Sequence, residues 1–221
     1  MGLNKKVNGK SMALEAVDWS GVQRVVGVQS TQVLKQGSGF EGKLDLSLKS
    51  INDEGCRTLA PALSEMTKLK ELHLYKNQIG DQGMVYLSNA LPRMKALSKL
   101  YLYKNQIGDQ GIASLSNVLP QMKALNLLYL TQNKIGDYGM VCLSSALPKL
   151  KKLRWLYLES NRIGNDGITS ITNVVKNGIP SLNVLQLVNN TFPHDGKEAQ
   201  ALKKAWLGNG KGIGYDGLSP G

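Results

Sequence analysis

The sequence predicts an α/β solenoid, a right-handed horseshoe arc with parallel strands on its concave face and helices on its convex face. Three observations carry this reading. The phrase "LHLYKNQIGDQG" at 72–83 returns as "LYLYKNQIGDQG" at 100–111, 28 residues later and with one letter changed. The core of that phrase recurs at Leu128-Leu130-Asn133 and Leu156-Leu158-Asn161 at the same step, and at Leu185-Leu187-Asn190 after 29. Inside each copy a period of two gives way to a helical period, as expected of a unit that buries its apolar stripe only by stacking on its copies.

Residues 1–40 fall outside the register and read as an N-terminal cap over the apolar end of the stack. Within them "SMALEAVDW" suggests a short helix capped by Ser11, "VQRVVGVQS" a β-branched strand, and "STQVLKQ" a helical turn. Six units of 28–29 residues then fill 41–207. The first, "KLDLSLKSINDEG", keeps Leu44 and Leu46 but has Lys49 where the others have Asn. Lysine offers no acceptor, so this first loop is expected to be looser than the rest, or closed by the N-terminal segment.

Each unit runs strand, turn, helix. The strand ends in the Leu-x-Leu pair. Asn77, Asn105, Asn133, Asn161 and Asn190 follow as a structural ladder, because an amide can satisfy both the N–H and the C=O groups that a chain leaving a strand turns inward. Ile79, Ile107, Ile135 and Ile163 are expected to be buried next. Asp53, Asp81, Asp109, Asp137 and Asn165 form one column and are expected to be helix N-caps. Two helical columns follow, Leu59/Leu87/Leu115/Leu143/Ile171 and Leu63/Leu91/Leu119/Leu147/Val175, and Pro92, Pro120 and Pro148 stop three of the helices. "DGKEAQALKKAWLG" closes the array as a capping helix with Leu202 and Trp206 inward, and 208–221 reads as a Gly-rich mobile tail.

The composite pattern, LxxLxLxxNxIGDxGxxxLxxxL, resembles the leucine-rich repeat of the ribonuclease-inhibitor type, shared with Ran GTPase-activating proteins and the receptor ends of NOD-like proteins. The likeness covers about three quarters of the chain and implies the horseshoe fold. The sequence lacks the Cys-rich helix starts and the 28/29 alternation of ribonuclease inhibitor, so ribonuclease inhibition is not implied. No residues of the GTPase activators carry over one by one.

Net charge is +11, which suits an acidic protein, nucleic acid or an anionic surface as a partner. No apolar run reaches the ~20 residues of a membrane span, and no secretion-signal core is present. Cys56 and Cys142 sit about three periods apart and read as free thiols of a reducing compartment. A cytoplasmic monomer is expected, with the nucleus also open.

Which residues would a partner meet? Alternation along the strands turns three columns into the concavity. One reads Asp45, His73, Tyr101, Tyr129, Tyr157, Gln186; the next Ser47, Tyr75, Tyr103, Thr131, Glu159, Val188; the third Lys43, Glu71, Lys99, Leu127, Trp155, Val184. His73, Tyr75, Tyr101, Tyr103, Tyr129, Trp155 and Tyr157 therefore converge and are the candidate partner-binding set. Aromatic residues also suit exposed strands for their own sake. Lys95, Lys123 and Lys151, with Arg93, Lys149, Lys152 and Arg154, should make one rim basic, opposite a rim of aspartates; helix dipoles favour the same segregation.

No paired carboxylates, Ser/His/Asp set, Cys/His cluster or phosphate loop in context is present, so no catalytic residue, metal or cofactor is expected. The leading reading is a non-enzymatic protein-interaction scaffold. A contact regulator of a small GTPase follows from the resemblance alone, and nucleic-acid binding through the basic rim from charge.

Overall fold

The computed structural model describes residues 6–7, 10–179 and 181–209. The Gly-rich stretch from 210 onward lies outside them; Gly208 ends the last helix.

Two short antiparallel strands, β1 (Lys6–Val7) and β2 (Lys10–Ser11), precede α1 (Met12–Glu15) and α2 (Trp19–Leu34). The solenoid follows as β3 (Gly42–Asp45), α3 (Asp53–Ser64), β4 (Leu69–His73), α4 (Asp81–Ala90), β5 (Lys99–Tyr101) and α5 (Asp109–Val118). It continues through β6 (Leu127–Tyr129), α6 (Asp137–Ala146), β7 (Trp155–Tyr157), α7 (Asn165–Lys176), β8 (Val184–Gln186) and α8 (Lys197–Gly208). β3 to β8 form one six-stranded sheet in sequence order, every pair parallel. Strands line the concave side and helices the convex side. Among the described residues no helix is long and apolar enough to cross a membrane.

The core is the repeat seen edge-on. Leu72, Leu100, Leu128, Leu156 and Leu185 pair in register across neighbouring strands, and all are fully buried. Leu46, Leu74, Leu102, Leu130, Leu158 and Leu187 form a second buried row, and Ile79, Ile107, Ile135 and Ile163 a third. Each such side chain contributes roughly 1.5–3 kcal/mol by leaving water. The short strands suffice because every unit adds the same rows to its neighbours.

The ladder asparagines join adjacent units. Asn105 Nδ2 donates to the carbonyls of Leu102 in its own unit and Leu74 in the preceding one, both at 2.9 Å, and its Oδ1 accepts from the Ile79 N–H at 3.1 Å. Asn133, Asn161 and Asn190 repeat this set. The residue before each Asn is left-handed: Lys76, Lys104, Gln132, Ser160 and Asn189 have φ of 53–57°. That turn lets its N–H keep pairing across to the next strand, as Lys104 N does with the Thr131 carbonyl at 2.9 Å.

Three expectations are corrected. The first loop is not left open by Lys49: Asn77 reaches back and accepts from Lys49 N and Ile51 N, each at 3.0 Å, while its Nδ2 donates to the Leu46 carbonyl at 2.9 Å. Each loop is closed by the unit that follows it, so the first unit needs no Asn of its own.

The aspartate column does not cap its own helices. Asp81, Asp109 and Asp137 are the first residues inside α4, α5 and α6, and the cap positions are Gly80, Gly108 and Gly136. The carboxylates instead cap the helix of the next unit. Asp81 Oδ1 accepts from Gly108 N at 2.7 Å and Gly111 N at 2.9 Å, and Asp137 does the same for Gly164 and Gly167 at 2.6 and 2.9 Å. A Cβ on Gly111 would stand 2.7 Å from that carboxylate oxygen, which is why the position is glycine. α3 has no preceding unit to cap it, and there Asn52 caps in cis by accepting from Gly55 N at 2.9 Å.

"VQRVVGVQS" is helical, not a strand. Asp18 starts α2 by accepting from Gly21 N at 2.9 Å, and Val22 and Val26, four apart, bury one face. Gly27, at φ 81°, kinks the helix, which continues to the buried Leu34. α2 lies on α3, where a Cβ on Gly55 would meet Val25 at 3.3 Å. At the far end α8 packs on α7 with Leu202 and Trp206 buried.

Candidate functional site

The strand register sets His73, Tyr101, Tyr129 and Tyr157 side by side on four adjacent strands. All are half-buried, supported from below by the leucine rows and open above. His73 and Tyr101 rings lie 4.2 Å apart between centroids, Tyr101 and Tyr129 6.2 Å, and Tyr129 and Tyr157 4.6 Å. Tyr75 and Tyr103, one column over, stack at 4.5 Å with only 7° between planes, and Tyr103 meets Tyr129 at 4.8 Å. Six of the seven candidate residues thus form one continuous strip of rings. Trp155 stands apart from it, in register with Leu127 and Val184 and with no ring contact among the described residues.

Burial pushes the hydroxyls of Tyr101, Tyr103, Tyr129 and Tyr157 above the usual tyrosine range, so these four rings of the strip are uncharged at neutral pH. Its flanks are not. Lys99 Nζ bonds Glu71 at 2.8 Å, holding that carboxyl below its ordinary range, and Glu71 lies 3.4 Å from His73 Nε2. Glu159 accepts from the Thr131 hydroxyl. The sequence columns contained Glu71, Lys99, Thr131 and Glu159, but only register across neighbouring strands reveals that they pair.

A family model described as Leucine Rich repeat matches residues 65–88 and 149–171. The chain has the fold of a leucine-rich repeat solenoid. Among solved structures, this leucine-rich repeat array is similar to the actin-binding site 2 of leiomodin-1, at 17% identity over 70% of this chain and 85% of that one, with a TM-score of 0.51. The Caenorhabditis elegans tropomodulin C-terminal domain follows at 15% identity over 64% and 83%, with a TM-score of 0.48. At such an identity the likeness to the leiomodin-1 domain speaks for the fold alone. A comparison of the sequence with curated proteins returns no match.

The charged rims of the repeat array differ from a simple basic-against-acidic arrangement. The aspartates are spent on neighbouring amides, and the same turns carry exposed Lys76, Lys104, Lys134 and Arg162. Where helices return to strands, two early cations are paired, Lys70 with Glu41 at 2.6 Å and Arg93 with Glu65 at 3.1 Å. Later, Lys123, Lys149, Lys151, Lys152 and Arg154 enter no ion pair among the described residues. Both thiols are free; Cys56 is buried, which pushes it up to about 12. Among the described residues no group of three or more His, Cys, Asp and Glu is placed to hold a metal.

Proposed function

We propose that this leucine-rich repeat solenoid is a non-catalytic scaffold that docks a protein partner across the aromatic strip. The observation that carries the reading is the ring contact running unbroken through Tyr75, Tyr103, Tyr129, Tyr157, Tyr101 and His73. Rings already held against one another lose little conformational freedom on binding, and each presents an apolar face with a polar tip. Lysines on both flanks and the net charge of +11 favour an acidic partner. In this reading Trp155 forms the margin of the contact, residues 1–40 and α8 close the two ends of the stack, and the molecule works as a cytoplasmic monomer. The leiomodin-1 domain is an actin-binding site, so actin is one partner to test.

The test is the double substitution Tyr101→Ala/Tyr129→Ala. The leucine rows beneath stay intact, so the circular dichroism spectrum should not change. Affinity for a partner identified by affinity capture, or for actin if it binds, should fall at least about ten-fold, as expected when hot-spot aromatics are truncated. Unchanged affinity would end the proposal. Binding of single-stranded oligonucleotide that collapses steeply with salt would favour nucleic acid instead.

A further inference from the structure

A cleft of about 400 Å3 opens where helices return to strands, across the fourth, fifth and sixth units. It is lined by Asn126, Lys151, Lys152, Arg154, Ser181 and Asn183. The repeat builds it. Arg154 N–H donates to the Asn126 carbonyl at 2.8 Å and Asn183 N–H to the Arg154 carbonyl at 2.9 Å, so this column crosses three adjacent strand starts. The Ser181 hydroxyl is tied to the Leu150 carbonyl at 3.0 Å.

The other five side chains are unspent. Lys151, Lys152 and Arg154 enter no ion pair, and the amides of Asn126 and Asn183 no hydrogen bond, among the described residues. No carboxylate lines the cleft. The chain supplies its own control, because the same three positions exist in earlier units. They read Thr67, Lys68, Lys70, then Lys95, Ala96, Ser98, then Lys123, Ala124, Asn126, and only the fifth unit carries three cations, Lys151, Lys152 and Arg154. Lys70, in the Arg154 column of the second unit, is neutralised by Glu41 at 2.6 Å. Three unneutralised like charges in one cleft repel each other, and a dianion relieves that repulsion. A guanidinium fork, two ammonium groups and two amides offer more donors than a carboxylate can use, and they suit a tetrahedral oxyanion.

We propose that this cleft binds a phosphate monoester carried on a phosphorylated side chain of a polypeptide. A polynucleotide would need a continuous basic track, whereas the third and fourth units thin to one lysine each in these columns. The cleft also adjoins the concave face: the Asn126 carbonyl accepts from Arg154 N at 2.8 Å and from Trp155 N at 3.1 Å. A chain lying along the aromatic strip past Trp155 therefore delivers its phosphate here. That last step rests on the docking reading above; the phosphate site does not.

The experiment titrates the full chain, at constant ionic strength, with a short phosphoserine peptide, its unphosphorylated twin, inorganic phosphate and a single-stranded DNA oligonucleotide. Calorimetry gives affinity, and the Arg154 side-chain N–H resonance reports the site. The phosphopeptide should bind at one saturable site, at least about ten-fold tighter than its twin. Lys152→Ala/Arg154→Ala should weaken it about ten-fold or more, and Lys95→Ala/Lys123→Ala less than about two-fold. Equal binding of the twin, equal loss in both double variants, or a tighter oligonucleotide overturns the proposal. Inorganic phosphate should still move the Arg154 resonance in Tyr101→Ala/Tyr129→Ala. If it does while that variant binds its partner normally, the docking reading alone has failed. If it does not move in the unmodified chain, the phosphate site alone has failed.

Discussion

The first unit and the interior units share a backbone plan but not a way of satisfying it. In the interior, Asn105 closes the loop of the unit before it, and Asp81 caps the helix of the unit after it. The first unit has Lys49 in the Asn column and supplies its own cap from Asn52. The two differences have opposite reasons. Nothing precedes Lys49 in the sheet, so no earlier loop needs it. Nothing precedes α3 in the repeat, so no earlier carboxylate serves it. An interior unit is therefore incomplete alone in both directions, and cooperativity along the stack comes from polar groups as well as from the leucine rows.

The largest break in this comparison is Asn105→Ala. It leaves the buried Ile79 N–H without its acceptor and takes one of two amide donors from each of the Leu74 and Leu102 carbonyls, which keep Asn77 and Asn133. At roughly 1–3 kcal/mol for the one buried N–H left unpaired, and about 1 kcal/mol for each of the two further hydrogen bonds lost, the loss is ~3 kcal/mol or more. Lys49→Ala, in the same column of the first unit, should lie within ~0.5 kcal/mol of the unmodified chain, because its side chain forms no hydrogen bond or ion pair among the described residues. Urea unfolding midpoints compare the two directly. A large loss at Lys49, or a small one at Asn105, would mean the loops are closed some other way.

That column also shows what the sequence made legible. The 28-residue step fixes strand order, register and the leucine rows, because one unit's environment is its neighbour's copied. The six-ring strip followed from the same arithmetic, although the separation of Trp155 did not, since it depends on which way a large ring leans. The error in the aspartate column is more instructive. Asp-x-Gly at a helix start carries the letters of a cap in cis, and nothing in one unit says that the amide it serves is 27 residues away. Residues 22–30 misled for another reason: their valines have strand propensity, but burial of Val22 and Val26 on one helical face overrides it. The cleft at Lys151, Lys152 and Arg154 leaves a trace in the sequence as the one unit in which all three columns are basic together.

Asp81→Ala sharpens the comparison at the helix starts. It removes the acceptor from Gly108 N and Gly111 N without disturbing α4, in which Asp81 is only the first residue. A lost N-cap costs ~0.5–2 kcal/mol, and this should be felt in α5, one unit downstream. Hydrogen exchange resolves the place: protection should fall at the start of α5 and persist at the start of α4. Asn165→Ala is the matched control, since its side chain forms no hydrogen bond among the described residues, and should change stability by less than ~0.5 kcal/mol.

The smallest effect is expected where the repeat has copied a group that earns nothing. Ser88, Ser116 and Ser144 form one buried column of the helices, and their hydroxyls have no hydrogen-bond partner among the described residues. Thr172, next in the column, does bond the Ile168 carbonyl at 2.7 Å. A buried hydroxyl without a partner carries its desolvation cost unrelieved, while alanine fills nearly the same space and favours helix. Ser116→Ala should therefore leave stability unchanged or raise it by up to ~1 kcal/mol, whereas Thr172→Ala, which gives up a bond and two heavy atoms of packing, should lower it by ~1 kcal/mol or more. A destabilised Ser116→Ala would show that the hydroxyl is bonded in solution, and that this column belongs with the asparagines as a polar seam between units.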